Sequence, residues 1–516
     1  MMRLAYTLMP EWPTLAWLAV CGRRASEVQV LHGRGVETTD EWFGEVAWAG
    51  QHQAGDFDRT DLVAGSGGRR RNGRIIFVSA GSTVDRLHSL TSGEVTRVSN
   101  SLPCVLSASG AGLDPAYPHY YRDLASVVRG LSRYVRTLPT SIGPLKLTYF
   151  HNLAWDGATL TRESKPGGPR DFSTFAHYRG FLESSLGRFS ENLAARSRPL
   201  PYRMLGTLSS GYDSSTVATL ARRAGCDEVI CFERAWEWPE KDRHLALHEH
   251  RRRRASDSGV ETARVLGIHP LIVPPEGWRT LEMPEIPFLA ANGMGEEVRF
   301  KSAETYLAGR VLLTGYHGDK IWAKAVKDLS SEIVRGDPSG SALGEYRLWA
   351  SFLHCPVPFW GVRQIADVHA ITRSPEMAPW DVPGDYSRPI CRRIVESAGV
   401  PRELFGTRKR AGSIILHDNP DFLTPTSMAD YLGWLAEHRG AWLRRGMLPP
   451  LRSLGIDSLS RKTSQTAAAW MSRMPGFWRL PSRLGLGYGP TRLRRAVFPW
   501  AVERAMVRYP RAGERA

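Results

Sequence analysis

The stretch Leu205-Gly-Thr-Leu-Ser209-Ser210-Gly211-Tyr212-Asp213-Ser214-Ser215 decides how this chain is read. An apolar run passes into small hydroxyl residues and glycine, and Thr216 to Ala224 then reads as a helix. Small residues let a backbone come close to an anion. The free N–H groups of a helix start and the hydroxyls of Ser209, Ser210, Ser214 and Ser215 are donors suited to phosphate. Asp213 alone would repel phosphate oxygens, so in that reading it holds a Mg2+ that bridges to them. An ordinary helix N-terminus, where Ser and Asp are favoured as caps, accounts for the same residues without a ligand.

Outward from this turn, strand and helix alternate: Met204 to Leu208, Ser214 to Arg223, Glu228 to Phe232, Gly259 to Leu266 and His269 to Val273. Such alternation predicts an α/β unit, a parallel sheet wrapped by helices. Upstream, Phe175, Tyr178, Phe181, Leu182, Ser185, Leu186, Phe189 and Leu193 fall on one helical stripe, which Arg196 to Pro201 ends with two prolines. This break is read as a domain boundary. Before it, Arg74 to Ser79 and Leu145 to Leu153 read as strands and Tyr121 to Val135 as a helix, which predicts an α+β unit. The organisation expected is therefore an α+β domain over 1–198, the α/β domain over 199–430 and an extension over 431–516.

The 516 residues favour two to four compact units, and 42% hydrophobic with 23% charged residues excludes a disordered or collagen-like chain. Cys21, Cys104, Cys226, Cys231, Cys355 and Cys391 form no CxxC pair, which disfavours a disulfide framework or zinc ribbon and makes a reducing, cytoplasmic home the simplest expectation. The apolar stretch from Leu15 to Cys21 is far shorter than the roughly 20 residues a membrane span needs, and no signal peptide is seen. The net charge of +16 is uneven: from Gly440 onward 15 Lys and Arg stand against 3 Asp and Glu, interleaved with Trp442, Trp470, Phe477, Trp478, Phe498 and Trp500. Such a tail suits an anionic substrate, a membrane surface or nucleic acid, or is simply a solvated basic surface. His244, His248 and His250 have metal-ligand types, but the neighbouring run Arg251 to Arg254 favours a solvated loop over a zinc site. Asp257, before Val260 and Ala263, reads as a helix cap.

About a hundred residues after the first turn comes a second strand ending in an acidic turn, Val311-Leu-Leu-Thr314-Gly315-Tyr316-His317-Gly318-Asp319-Lys320. The first turn resembles the pyrophosphate loop of the asparagine synthetase family, the N-type or PP-loop ATP pyrophosphatases, whose pattern is Ser-Gly-Gly-x-Asp-Ser; Ser209, Gly211, Asp213 and Ser214 match it and Ser210 departs from it. The second turn is similar to the family's Ser-Gly-x-Gly-x-Asp-Glu, with Tyr316 where Glu is usual, His317 at or beside the second Gly, and Lys320 for Glu. No Gly-x-x-x-x-Gly-Lys-Ser/Thr loop occurs, so kinase and GTPase readings lose their support. Tyr386 to Ser413 resembles the end of the synthetase domain, where a basic turn meets the departing pyrophosphate. Carried over, the resemblance makes Asp213 and Asp319 the Mg2+ ligands, Gly315 and Gly318 part of the nucleotide cradle, and Lys409, Arg408 and Tyr316 the catalytic candidates.

The fold so implied is an adenine nucleotide α-hydrolase-like synthetase domain behind a degenerate glutaminase-like one of the N-terminal-nucleophile class. The chain opens Met1-Met2-Arg3-Leu4 with no cysteine after the initiator, so nitrogen is expected from free ammonia, a partner glutaminase or an amine on the acceptor. Lasso-peptide cyclases and amidotransferases of sugar or metabolite carboxylates share these traits. The implied function is adenylation of a carboxylate (on a peptide, sugar acid or small metabolite) and transfer of the acyl group to nitrogen. An RNA-directed pyrophosphatase and a silent nucleotide-binding relative are the competing readings.

Overall fold

The computed structural model describes residues 2–168, 170–237, 253–326, 328–384, 386–408, 410–411, 422–444 and 496–511. Two sheets form the front of the molecule. One joins β1 (Arg3–Leu8), β2 (Trp17–Gly22), β3 (Glu27–His32), β8 (Leu87–Ser92), β9 (Val95–Ser99), β10 (Thr137–Thr140) and β11 (Gly143–Thr148) in the order β1-β3-β2-β9-β8-β11-β10. The other joins β4 (Glu37–Thr38), β5 (Trp42–Trp48), β6 (Val63–Arg71), β7 (Arg74–Val78), β12 (His151–Trp155) and β13 (Leu160–Ser164) in the order β13-β12-β7-β6-β5-β4. Successive side chains of a strand point to opposite faces. Trp17, Ala19 and Cys21 therefore meet Phe43, Ile75, Phe77, Leu153 and Trp155 between the sheets, with Trp17 stacked on Phe77 at 6.2 Å. Helix α1 (Leu102–Ser109) packs on β8 and β9.

Two local expectations change here. The helix predicted over Tyr121 to Val135 is only α2 (Tyr120–Ala125) and a 3-10 turn, Ser126–Arg129, because Gly130 follows at φ 99. The strand predicted over Leu145 to Leu153 is two strands: Phe150 sits in the left-handed region at φ 51, and there the chain passes from β11 in one sheet to β12 in the other. The stripe over 175–193 is α3 (Phe175–Leu193), started by Thr174, whose hydroxyl accepts from the His177 N–H at 3.2 Å.

The back of the molecule is α/β. Strands β14 (Arg203–Thr207), β15 (Glu228–Phe232), β18 (His269–Val273), β19 (Arg310–Thr314) and β20 (Leu353–Pro356) make one sheet in the order β18-β15-β14-β19-β20, with every pair parallel. Helix α4 (Tyr212–Arg223) links β14 to β15, and α5 (Val260–Leu266) precedes β18. Short β16 (Arg234–Glu237), β17 (Arg253–Ser256) and β21 (Arg410–Ala411) pair antiparallel beside it. The chain runs outward from β14 through β15 to β18 and then returns to β19 on the other side, so the strand order reverses between β14 and β19. Crevices outside the carboxyl ends of the strands at such a reversal are where open α/β sheets bind ligands.

Front and back share one apolar core: Leu18, Leu90, Leu205 and Leu312 belong to the same buried cluster. In the described part of the C-terminal extension the aromatic residues pack inside while Arg439, Arg444, Arg508 and Arg511 stay exposed. Trp442, Phe498 and Trp500 are buried, the Ser107 hydroxyl donates to the Tyr509 carbonyl at 2.6 Å, and Trp12 Nε1 donates to the Pro510 carbonyl at 3.1 Å. Trp470, Phe477 and Trp478 lie outside the described residues. All six cysteines are buried and free. Among the described residues no helix is long and apolar enough to cross a membrane.

Candidate functional site

Arg203 to Gly206 of β14 pair in parallel with Arg310 to Leu313 of β19, so the two acidic turns leave adjacent strands at the same end. The first is a tightly bonded loop. Ser214 Oγ accepts from the Ser209 N–H at 3.1 Å and lies 2.9 Å from Ser209 Oγ, and Ser215 Oγ donates to the Ser209 carbonyl at 3.2 Å. Ser215 is thus buried scaffolding, and Ser209 and Ser214 shape the loop before they meet any ligand. Ser210 donates twice to Asp257 Oδ1, from N at 3.2 Å and from Oγ at 2.5 Å. Asp257 does not cap α5, whose N-cap residue Gly259 makes no side-chain cap bond; it fixes the loop instead.

The second turn lies directly on Asp213. A Cβ on Gly315 would come within 2.7 Å of Asp213 Cβ, and one on Gly318 within 2.6 Å of Asp213 Cγ, so only glycine permits this approach at either position. Asp319 lies in the short helical turn Gly318–Ile321, and its carboxylate bears on Arg335. Ser209, Ser210, Gly211, Asp213, Ser214, Gly315, Tyr316, Gly318 and Asp319 are therefore assembled at one carboxyl end of the sheet. Arg408 is exposed two residues after Gly406, whose N–H donates to the Ser210 carbonyl at 2.8 Å; Lys409, His244, His248 and His250 lie outside the described residues.

Three residues of the site, Arg388, Arg299 and Arg335, carry no local sign of that role in the sequence, and a fourth, His317, stands in the second turn without a role assigned to it. Arg388, buried, ion-pairs with Asp213 Oδ1. Burial would lower its guanidinium, but the Asp213 carboxylate outweighs burial and holds it above the usual arginine value. Arg299 lies on the Phe232 ring at 4.3 Å. Arg335 is buried, and His317, at φ 76, is buried and stacked on Phe359 at 4.8 Å. Burial, then Arg335, keeps the His317 imidazole well below its ordinary pKa, and among the described residues neither ring nitrogen has a hydrogen-bond partner. Burial, then Glu297, holds the Tyr316 phenol well above its ordinary value, so it is a proton donor and not a base near neutrality.

Among the described residues no group of three or more His, Cys, Asp or Glu is placed to hold a metal. Asp213 and Asp319, in turns that leave adjacent strands at the same end, would be the residues to hold Mg2+, an ion that takes one or two carboxylates and fills its shell with water and substrate phosphate. No protein-family model matches the chain, and no curated protein matches it.

Proposed function

We propose that this protein is an ATP-dependent carbon–nitrogen ligase of the asparagine synthetase type, in which a carboxylate attacks the α-phosphorus of ATP, pyrophosphate leaves, and nitrogen displaces AMP from the acyl-adenylate. The observation that carries this reading is the placement of both acidic turns at the strand-order reversal, with Gly315 and Gly318 against Asp213. The first-turn N–H groups of α4 and the loop hydroxyls receive the polyphosphate. Asp213 and Asp319 would hold Mg2+, which when bound neutralises polyphosphate charge. Arg388 steadies the Asp213 carboxylate, and Arg408 with Lys409 supplies fixed positive charge to the leaving pyrophosphate, where one such donor is worth several kcal/mol, about 3, of barrier. Alignment of the reactants adds the rest.

In this reading the front sandwich is a degenerate glutaminase-like module, and the nitrogen comes from ammonia, a separate partner protein or an amine. The six buried free cysteines fit a reducing cytoplasm. A second reading, a nucleotide-binding protein without turnover, is favoured by one observation: Arg388 already occupies the Asp213 oxygen. Incubation with Mg·ATP, hydroxylamine and a panel of amino acids, sugar acids and peptides separates the two. Ligase activity gives AMP, pyrophosphate and a hydroxamate, and Asp213→Ala lowers all three by about a hundredfold or more. Release of ADP and phosphate, or full activity in Asp213→Ala, removes the ligase reading; bound ATP without AMP establishes the silent one.

A further inference from the structure

A cleft of about 360 Å³ opens where α3 passes the end of β5 and the start of β6, and none of the candidate-site residues lines it. That volume falls within the range of small-molecule sites. Its walls are of two kinds. Ala49, Leu62, Phe172 and Phe181 make an apolar floor, the two rings packed at 5.0 Å. Arg59, Arg170 and Arg188 supply guanidinium groups around it. Arg170 is built into the wall: its side chain is 6% exposed, it pairs with Asp61, donates to Gln364 Oε1 at 3.2 Å and lies over Phe181 at 4.9 Å.

The other two arginines are exposed and nearly unengaged. Among the described residues Arg188 reaches the Ser185 hydroxyl alone, at 3.4 Å, and no side chain bonds the Arg59 guanidinium. The single lining acid, Asp171, is already taken, accepting from the Ser173 N–H at 2.8 Å and lying 2.8 Å from His177 Nδ1. With Arg170 paired to Asp61, Arg59 and Arg188 still outnumber the Asp171 carboxylate, so the cleft offers apolar area beneath a net positive charge. Guanidinium forks match carboxylate geometry in two parallel hydrogen bonds, and a ring or chain in the floor removes apolar surface from water.

We propose that this cleft is a second binding site, for an organic acid whose apolar body rests on Leu62 and Phe181 and whose carboxylate is held between Arg59 and Arg188. A free small acid and the carboxyl end of a peptide share that chemistry. The site is independent of ATP chemistry, so its test leaves the ligase reading untouched.

The full chain is titrated with the anionic dye anilinonaphthalene sulfonate, and the bound dye is then displaced with decanoate, with a pentapeptide ending in phenylalanine, or with the same peptide as its C-terminal amide. We expect saturable one-to-one binding, displacement by decanoate or the free peptide acid according to the true source, and none by the amide. The double variant R59E/R188E, both residues exposed, keeps its thermal unfolding midpoint and binds dye about tenfold or more weakly, and Ala49→Trp, which fills the floor, weakens it too. Unchanged dye affinity in R59E/R188E, displacement by the amide as strong as by the acid, or several dye molecules per chain overturns the proposal.

Discussion

The seam between the front sandwich and the parallel sheet and the reversal between β14 and β19 both bury charge, but they finish it differently. At the seam Glu45, fully buried, accepts from Ser66 Oγ at 2.6 Å, from Asn100 Nδ2 at 3.2 Å and from both terminal nitrogens of Arg347 at 2.7 and 3.1 Å, while Arg347 Nε lies 3.0 Å from Asp85. At the reversal, Arg388 Nε, Arg335 Nη1 and both nitrogens of His317 are buried with no hydrogen-bond partner among the described residues. Buried polar groups in folded proteins are almost always bonded, and exceptions concentrate where a ligand completes the set. The seam thus saturates Glu45 and leaves its orphaned Arg347 Nε facing the Asp85 carboxylate in an ion pair, whereas at the reversal the two nitrogens of His317 have neither a hydrogen bond nor an ion pair among the described residues.

The sharpest way to break this contrast is at the seam. Arg347→Ala leaves Glu45, at 0% exposure, and Asp85, at 5%, without their cation. Removing one partner of a buried pair costs about 3–5 kcal/mol, because the remaining charge cannot be solvated. Urea unfolding followed by tryptophan fluorescence should show a loss of that size, or the variant should fail to accumulate folded. The double change Glu45→Gln with Arg347→Met should recover part of it. A loss under about 1 kcal/mol would mean that water enters the seam and solvates the two carboxylates.

Lys165 in the front unit gives a second, smaller test, read through pH. It is buried, donating to the Ser79 carbonyl at 2.8 Å and to Asn152 Oδ1 at 2.9 Å, and burial, only partly offset by Asp61 and Asp58, lowers its pKa to about 7. Between that value and the ordinary lysine value near 10 the unfolded chain binds a proton that the folded chain does not, so stability rises with pH across this window. Below about pH 7 both states are protonated and the penalty is fully present. Lys165→Met should remove a rise of about 3 kcal/mol from the difference between unfolding curves at pH 7 and pH 10. Equal slopes in the two proteins would show that Lys165 is solvated.

What was legible in the sequence was local. The alternation from Met204 to Val273 needs only short-range periodicity, and β14, α4, β15, α5 and β18 lie within two residues of where it put them. The two turns were legible because small residues and aspartate at a strand end are a one-dimensional pattern, and their meeting follows from the pairing of β14 with β19. Arg388 was not legible: it lies 175 residues from Asp213, and within the stretch Tyr386 to Ser413 the resemblance points to the basic turn at Arg408 and Lys409 instead. Asp257 had an equally good local explanation as a cap, and only the fold shows that Ser210 takes its carboxylate. Phe150 was read through as strand because an aromatic residue at φ 51 has no sequence sign, and the change of sheet there depends on partners far along the chain.

The smallest effect is the most discriminating, because it compares two histidines of equal burial, His52 and His317, each 6% exposed. His52 is satisfied: Nδ1 lies 2.8 Å from Ser197 Oγ and Nε2 lies 3.2 Å from Glu37 Oε2. His52→Ala should therefore cost about 2–4 kcal/mol, from lost packing against Trp42 and Trp48 and the loss of both ring hydrogen bonds, although Glu37 Oε2 keeps its bond from Arg198 at 3.0 Å. His317 has a left-handed backbone and no hydrogen-bond partners, so His317→Gly relieves strain of about 1 kcal/mol and removes two orphaned nitrogens. Against this stand the lost stacking on Phe359 and the added entropy of glycine in the unfolded chain, which leave a net change within about 1 kcal/mol of zero. Guanidinium unfolding midpoints of the two variants measure the difference directly. If His317→Gly falls as far as His52→Ala, the imidazole is held by the fold as firmly as its counterpart, and the reversal has no spare donor to offer a ligand.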